Sequence, residues 1–77
     1  MDQPKQLKHI ATDPQTGKDG SPSFYETDDG RYIVQGYMLT SADARAQLVN
    51  FPEGEDAVII TKRLADIIVA HHVGGTA

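Results

Sequence analysis

An Asp29-Gly30 dipeptide stands between two β-prone runs, Ser23-Phe24-Tyr25-Glu26-Thr27 and Tyr32-Ile33-Val34-Gln35, and this stretch constrains the chain more than any other. A tight turn between antiparallel strands needs positive φ, which glycine adopts without steric cost, so the pattern predicts a β-hairpin from residue 23 to residue 39. A two-residue Asp29-Gly30 loop sets Asp28 opposite Arg31, Thr27 opposite Tyr32 and Tyr25 opposite Val34. One face then collects Tyr25, Thr27, Tyr32, Val34, Gly36 and Met38, and the other Phe24, Glu26, Ile33, Gln35, Tyr37 and Leu39. A three-residue Asp28-Asp29-Gly30 loop with a bulge shifts this register by one. In the two-residue register large apolar groups fall on both faces, so something should cover each side. Gly36 reads either as a bend over a small core or as a point where another backbone or a ligand comes close.

The remaining elements follow from local chemistry. Thr40-Ser41-Ala42-Asp43 fits a capping box, opening a short helix over residues 41–48 with Leu48 as its anchor. Pro52 bars continuation through the loop of residues 50–56, where Phe51 is expected to plug the core. Ala57-Val58-Ile59-Ile60-Thr61 is a short apolar run of the kind found in strands buried on both faces, hence a central strand. From Lys62 to Val73, Leu64, Ile67 and Ile68 share one helical stripe with Asp66 opposite and Val69 flanking, and Gly74-Gly75 closes the helix. The expected fold class is α+β: a small antiparallel sheet of the hairpin plus one further strand, with one short and one C-terminal helix, in the order β-β-α-β-α. Residues 1–22 read as a disordered or weakly ordered tail. They carry Pro4, Pro14 and Pro22 and a Thr16–Ser21 run of turn residues, with Leu7 and Ile10 three apart as on a helix. Residues 23–77 form the single domain.

Composition narrows the function classes. The net charge is −4 over 77 residues, and residues 23–77 hold the whole excess, so a polyphosphate partner meets net repulsion and nucleic acid is not expected. The chain has no cysteine, which removes disulfides and thiolate chemistry and suggests a reducing, cytoplasmic setting. No apolar run approaches a membrane span, so no membrane partner is expected. A domain of about 55 ordered residues buries only ~60% of its unfolded surface, and with neither disulfide nor metal in view a homodimer is the expected staple.

His71 and His72 point about 100° apart on a helix and cannot easily share one metal; a helix C-terminus also favours histidine without any ligand. The acidic groups Asp28-Asp29 and Glu53–Asp56 lack the alternating oxygens of a calcium loop. Ser21, Ser23 or Ser41 with His71 or His72 makes no nucleophile elbow, so neither catalysis nor a cofactor is expected. Thr61-Lys62-Arg63 is the anomaly, because cations in a first helical turn oppose the macrodipole. The segment suits a small anion at the helix N-terminus, a register lock or a plain solvated face, the last two ahead of the first. In the register lock the 57–61 strand pairs with its own copy about Ile59, setting Asp56 against Lys62 and Glu55 against Arg63. Tyr32, Val34, Gly36, Met38 and Ile59 are the expected contact positions.

Pro22-Ser23-Phe24-Tyr25-Glu26-Thr27-Asp28-Asp29-Gly30, followed by Tyr32-Ile33-Val34-Gln35-Gly36, resembles a small actinobacterial protein family. Its members share a P-[ST]-x-Y-x-[ST]-[DE]-x-G-x-[YF]-x-V-Q-G core and then P-x-x-E-x-x-V-x-I, here Pro52 to Ile60. The likeness spans roughly half the chain. Such proteins accompany helix-turn-helix regulators in developmental gene sets, which implies an accessory regulatory role and carries no catalytic residues with it. The expectation is therefore a non-enzymatic homodimer acting through protein–protein interaction, with a regulatory protein as a further candidate partner; the alternative is a small-anion or ligand-binding module at Thr61-Lys62-Arg63.

Overall fold

The computed structural model of the protein describes residues 2–15 and 21–74. The chain is α+β, as expected. Strands β1 (Leu7–Thr12), β2 (Ser23–Thr27) and β3 (Tyr32–Gln35) form one antiparallel sheet in that order. β4 (Tyr37–Met38) and β5 (Val58–Ile59) form a separate antiparallel ribbon. Helix α1 (Ala42–Arg45) lies between β4 and β5, and α2 (Lys62–Gly74) ends the described chain.

The hairpin uses the longer loop. Glu26 pairs with Tyr32, Tyr25 with Ile33 and Phe24 with Val34, leaving Asp28, Asp29 and Gly30 as a three-residue connection. A two-residue loop of the usual twist needs positive φ at both central positions, whereas here only Gly30 (φ 87°) carries it. Thr27 closes the loop: its Oγ1 donates to Asp29 Oδ1 (2.5 Å) and accepts from the Arg31 amide (2.7 Å). The Arg31 guanidinium pairs with the Asp29 carboxylate, which holds that carboxyl well below its usual range. The one-residue shift reassigns the faces. Phe24, Glu26, Tyr32 and Val34 now share one side, and Tyr25, Thr27, Ile33 and Gln35 the other.

The N-terminal segment is not a tail over residues 7–12. β1 pairs along β2 from Leu7↔Thr27 to Thr12↔Ser23, with a bulge between His9 and Ala11. That bulge inserts Ile10 as an extra residue and breaks the period-2 alternation, so the segment's two large aliphatics fall three apart and mimic a helix. Residues 16–20, within the expected tail, and Gly75 lie outside the described residues.

Helix α1 is shorter than expected. Its cap is Ser41 rather than Thr40: Ser41 Oγ accepts from the Ala44 amide (3.2 Å), and Ala44 stands where a reciprocal box needs an acid. The chain tightens into i→i+3 bonds at Gln47 and Leu48 and turns away at Asn50, whose φ is 52°. Phe51 does not plug the core; it is exposed, with the Arg45 guanidinium 5.2 Å over its ring.

Helix α2 lies on the Phe24 side of the sheet. Leu64 is fully buried, and Ile67, Ile68 and His71 continue the half-buried stripe expected of it, while Asp66 and Val69 face outward. Phe24 and Leu64 are the large apolar side chains with no exposure among the described residues. The interior is correspondingly small. The chain exposes 6053 Å², undescribed residues included, where a folded monomer of 8.4 kDa exposes ~4,600 Å². Its radius of gyration is 13.8 Å against ~11.5 Å for a compact chain of this length.

The run at residues 57–61 is correspondingly not a central strand. Only Val58 and Ile59 pair, both with β4, and both are exposed. Gly36 sits where the chain leaves the main sheet for the ribbon. A Cβ there would run into the Ile59 carbonyl oxygen, so the close-approach reading of this glycine is the one the structure bears out. Gly36→Ala is expected to cost about 1–3 kcal/mol of overpacking strain and Leu64→Ala about 2–5 kcal/mol, both read as lower urea midpoints. An unchanged midpoint in Gly36→Ala would show that the ribbon does not hold this close approach.

Candidate functional site

The first turn of α2 explains its own anomaly. Thr61 caps the helix, its Oγ1 accepting from the Leu64 amide (3.1 Å) and donating to Asp13 Oδ2 (2.6 Å). Arg63 Nε donates to Asp13 Oδ1 (2.9 Å), and the Gln15 amide donates to the same oxygen (2.9 Å). Asp13 is buried at the end of β1, and its own amide donates to the Pro22 carbonyl (3.0 Å). A helix N-terminus with a cation beside it attracts an anion, and this chain supplies the carboxylate itself. The Arg63 guanidinium, the Thr61 hydroxyl and the Gln15 amide, in that order, hold the Asp13 carboxyl down at about 2. The anion reading of Thr61-Lys62-Arg63 thus meets a site already filled from within. The need for a counter-charge was visible in Thr61-Lys62-Arg63; its source, 48 residues away from Thr61 in a segment read as tail, was not.

The expected ion-pair partners across a two-fold are partly engaged at home. Asp56 accepts from Arg45 Nη1 (3.0 Å) and from the Ala57 amide (2.8 Å), which lower its carboxyl, the amide bond foremost. Lys62 and Arg63 belong to α2 and cannot continue a strand ladder with Asp56 and Glu55 as the sequence pattern suggested. Glu55 and Lys62 are exposed and make no ion pair among the described residues.

At the other end of α2, His71 enters the sheet face rather than solvent. Its ring stands edge-on to Phe24 (centroids 5.7 Å apart), and its Nε2 lies 3.1 Å from Glu26 Oε2. His72 Nδ1 lies 3.2 Å from the Tyr32 hydroxyl. The two imidazoles thus take different partners, as a 100° helical step requires. Glu26 was missed in the sequence because the two-residue loop set it on the face away from Tyr32. Among the described residues no three His, Asp or Glu side chains gather as a metal site, and no helix is long and apolar enough to cross a membrane.

What remains unsatisfied is apolar surface. In the β4–β5 ribbon, Tyr37 faces Ile59 across the ladder on one side and Met38 faces Val58 on the other. Their exposures are 65%, 54%, 55% and 38%, so the ribbon is wet on both faces. Met38 and Ile59, expected contact positions, come together here with Tyr37 and Val58, which the sequence reading passed over. Tyr32 and Val34 lie apart from them on β3, also partly exposed; Gly36 joins the two groups, its close approach spent on Ile59. Comparison of the chain with protein-family models, curated proteins and solved structures finds no match.

The Asp13 carboxyl falls from its usual 3.8 to about 2 on folding. A carboxyl lowered in the folded state stabilises above its unfolded value, and this contribution disappears as pH falls through the folded one. Wild type should therefore exceed Asp13→Asn in urea midpoint by a constant margin above roughly pH 5. The margin should close as pH falls to about 2. A margin independent of pH would show that the carboxylate charge does not hold α2.

Proposed function

We propose that the chain is a non-enzymatic accessory protein that works through protein–protein contact and associates with a second copy of itself. The observation that carries this reading is the β4–β5 ribbon, whose four apolar side chains are exposed on both faces. Contiguous exposed apolar surface marks interaction sites, since a solitary folded chain gains nothing by leaving it wet. A place in bacterial regulation, in the cytoplasm, rests on the resemblance of the hairpin and the Pro52–Ile60 segment to regulator-associated proteins and on the lack of cysteine.

Analytical ultracentrifugation at micromolar concentration should give twice the monomer mass. Met38→Asp combined with Ile59→Asp should raise the dimer dissociation constant tenfold or more, because each loses ~1.5–3 kcal/mol of apolar burial. A wild-type monomer at every concentration tested, with no heterologous partner recovered from the host, would defeat the proposal.

A further inference from the structure

We infer that the second copy docks on the free edge of β5, antiparallel, with the two-fold axis passing through Ile59; the inference rests on the homodimer reading and specifies its geometry. The Leu39 amide donates to the Ala57 carbonyl (3.0 Å), and Tyr37 pairs with Ile59. In an antiparallel ladder the residues that exchange hydrogen bonds alternate with those that do not. The Ala57 carbonyl and Ile59 therefore face β4, the Ala57 amide being held by Asp56 Oδ1, and Val58 and Ile60 direct their backbone groups to the side where the ribbon has no further strand among the described residues.

A second β5 can satisfy those groups by setting Val58 of each copy opposite Ile60 of the other. The two positions sum to twice 59, which makes the contact isologous and self-closing. Ile59 then faces its own counterpart as a close, non-hydrogen-bonded pair, where side chains approach best. Tyr37, Ile59 and their two counterparts make one continuous apolar row across four strands, with Met38 beside Val58 on the reverse.

Charge selects this occupant. β5 is entered through Glu53, Glu55 and Asp56 and left through Lys62 and Arg63. Antiparallel pairing with an identical strand brings the acidic entrance of each copy toward the basic exit of the other, beyond the end of the ladder, where α2 begins. Asp56 and Arg63 already hold Arg45 and Asp13 within the chain, whereas Glu55 and Lys62 are exposed and free to meet across the axis. Edges also lie on β1, β3 and β4; the one on β3 has no such polarity. There Tyr32 and Val34 turn outward, since Thr27 and Arg31 are bonded to each other and the alternation runs on from them. Its entrance mixes Asp28 and Asp29 with Arg31, which Asp29 already holds, and its exit at Gln35 carries no charge.

The chain has no cysteine, so a single introduced thiol reports one contact without background. Residues paired without hydrogen bonds across an antiparallel ladder lie about 4.5 Å apart at Cα, within disulfide reach. The Ile59→Cys chain should oxidise predominantly to a disulfide-linked dimer on a non-reducing gel. Val58→Cys should not, because its counterpart is a diagonal neighbour at about 7–8 Å. Ile33→Cys, at the centre of the β3 edge, should remain uncrosslinked. Ultracentrifugation of the wild type runs alongside. A wild-type dimer with linkage at position 58 or 33 in place of 59, or at none of the three, overturns this geometry and leaves the homodimer standing. A wild-type monomer overturns both.

Discussion

The architecture turns on a shortage of cover: α2, thirteen residues long, is laid against the three-stranded sheet and shields only one of its sides, while the two-stranded ribbon stands detached. Where α2 reaches, the interior forms. Phe24 and Leu64 lose all exposure, and His71 and Tyr32 extend that contact toward the helix end with Glu26 as a polar tether. Where it does not reach, the sheet relies on polar stitching. On the far side His9 Nε2 lies 2.8 Å from the Thr12 hydroxyl, that hydroxyl lies 2.7 Å from Ser23 Oγ, and Tyr25 donates to Gln35 (2.5 Å). The ribbon has neither helix nor stitching, and its apolar side chains stay wet.

Asp13 makes the limited cover effective. It ties the end of β1, the approach to β2 and the first turn of α2 through one buried carboxylate. Because Arg63 and the helix N-terminus both favour negative charge, the carboxylate orients α2 on the sheet at its N-terminal end. Glu26 does the same near the C-terminal end. A helix fixed at both ends by acids from β1 and β2 needs fewer apolar contacts to hold its angle, which suits a chain with so few to spend.

The sequence made the α+β class, the hairpin, the C-terminal helix and its Leu64–Ile67–Ile68 stripe legible, because each rests on local chemistry of a few adjacent residues. What escaped were the features set by non-local pairing. β1 hid behind a bulge at Ile10. The loop of the hairpin was open to two registers, and one residue of slip exchanged its faces. The five residues from Ala57 to Thr61, four of them apolar, look alike whether they run through the middle of a sheet or along the margin of a ribbon. The need for an anion beside Arg63 was readable, but its identity required knowing that residues 7–12 return along β2. The ribbon partners Tyr37 and Val58 followed from the Gly36 approach to Ile59, and composition alone does not show which backbone a glycine will meet.

If a second copy completes the fold, stability and association are one equilibrium, and apparent stability must depend on how much protein is present. The direct measurement is the thermal midpoint across a hundredfold range of protein concentration. Association predicts a midpoint that climbs steadily with concentration in one cooperative transition. A midpoint that stays fixed across that range, with a sharp transition at the most dilute point, would mean that this small interior suffices by itself and that the exposed ribbon needs no cover from a second chain.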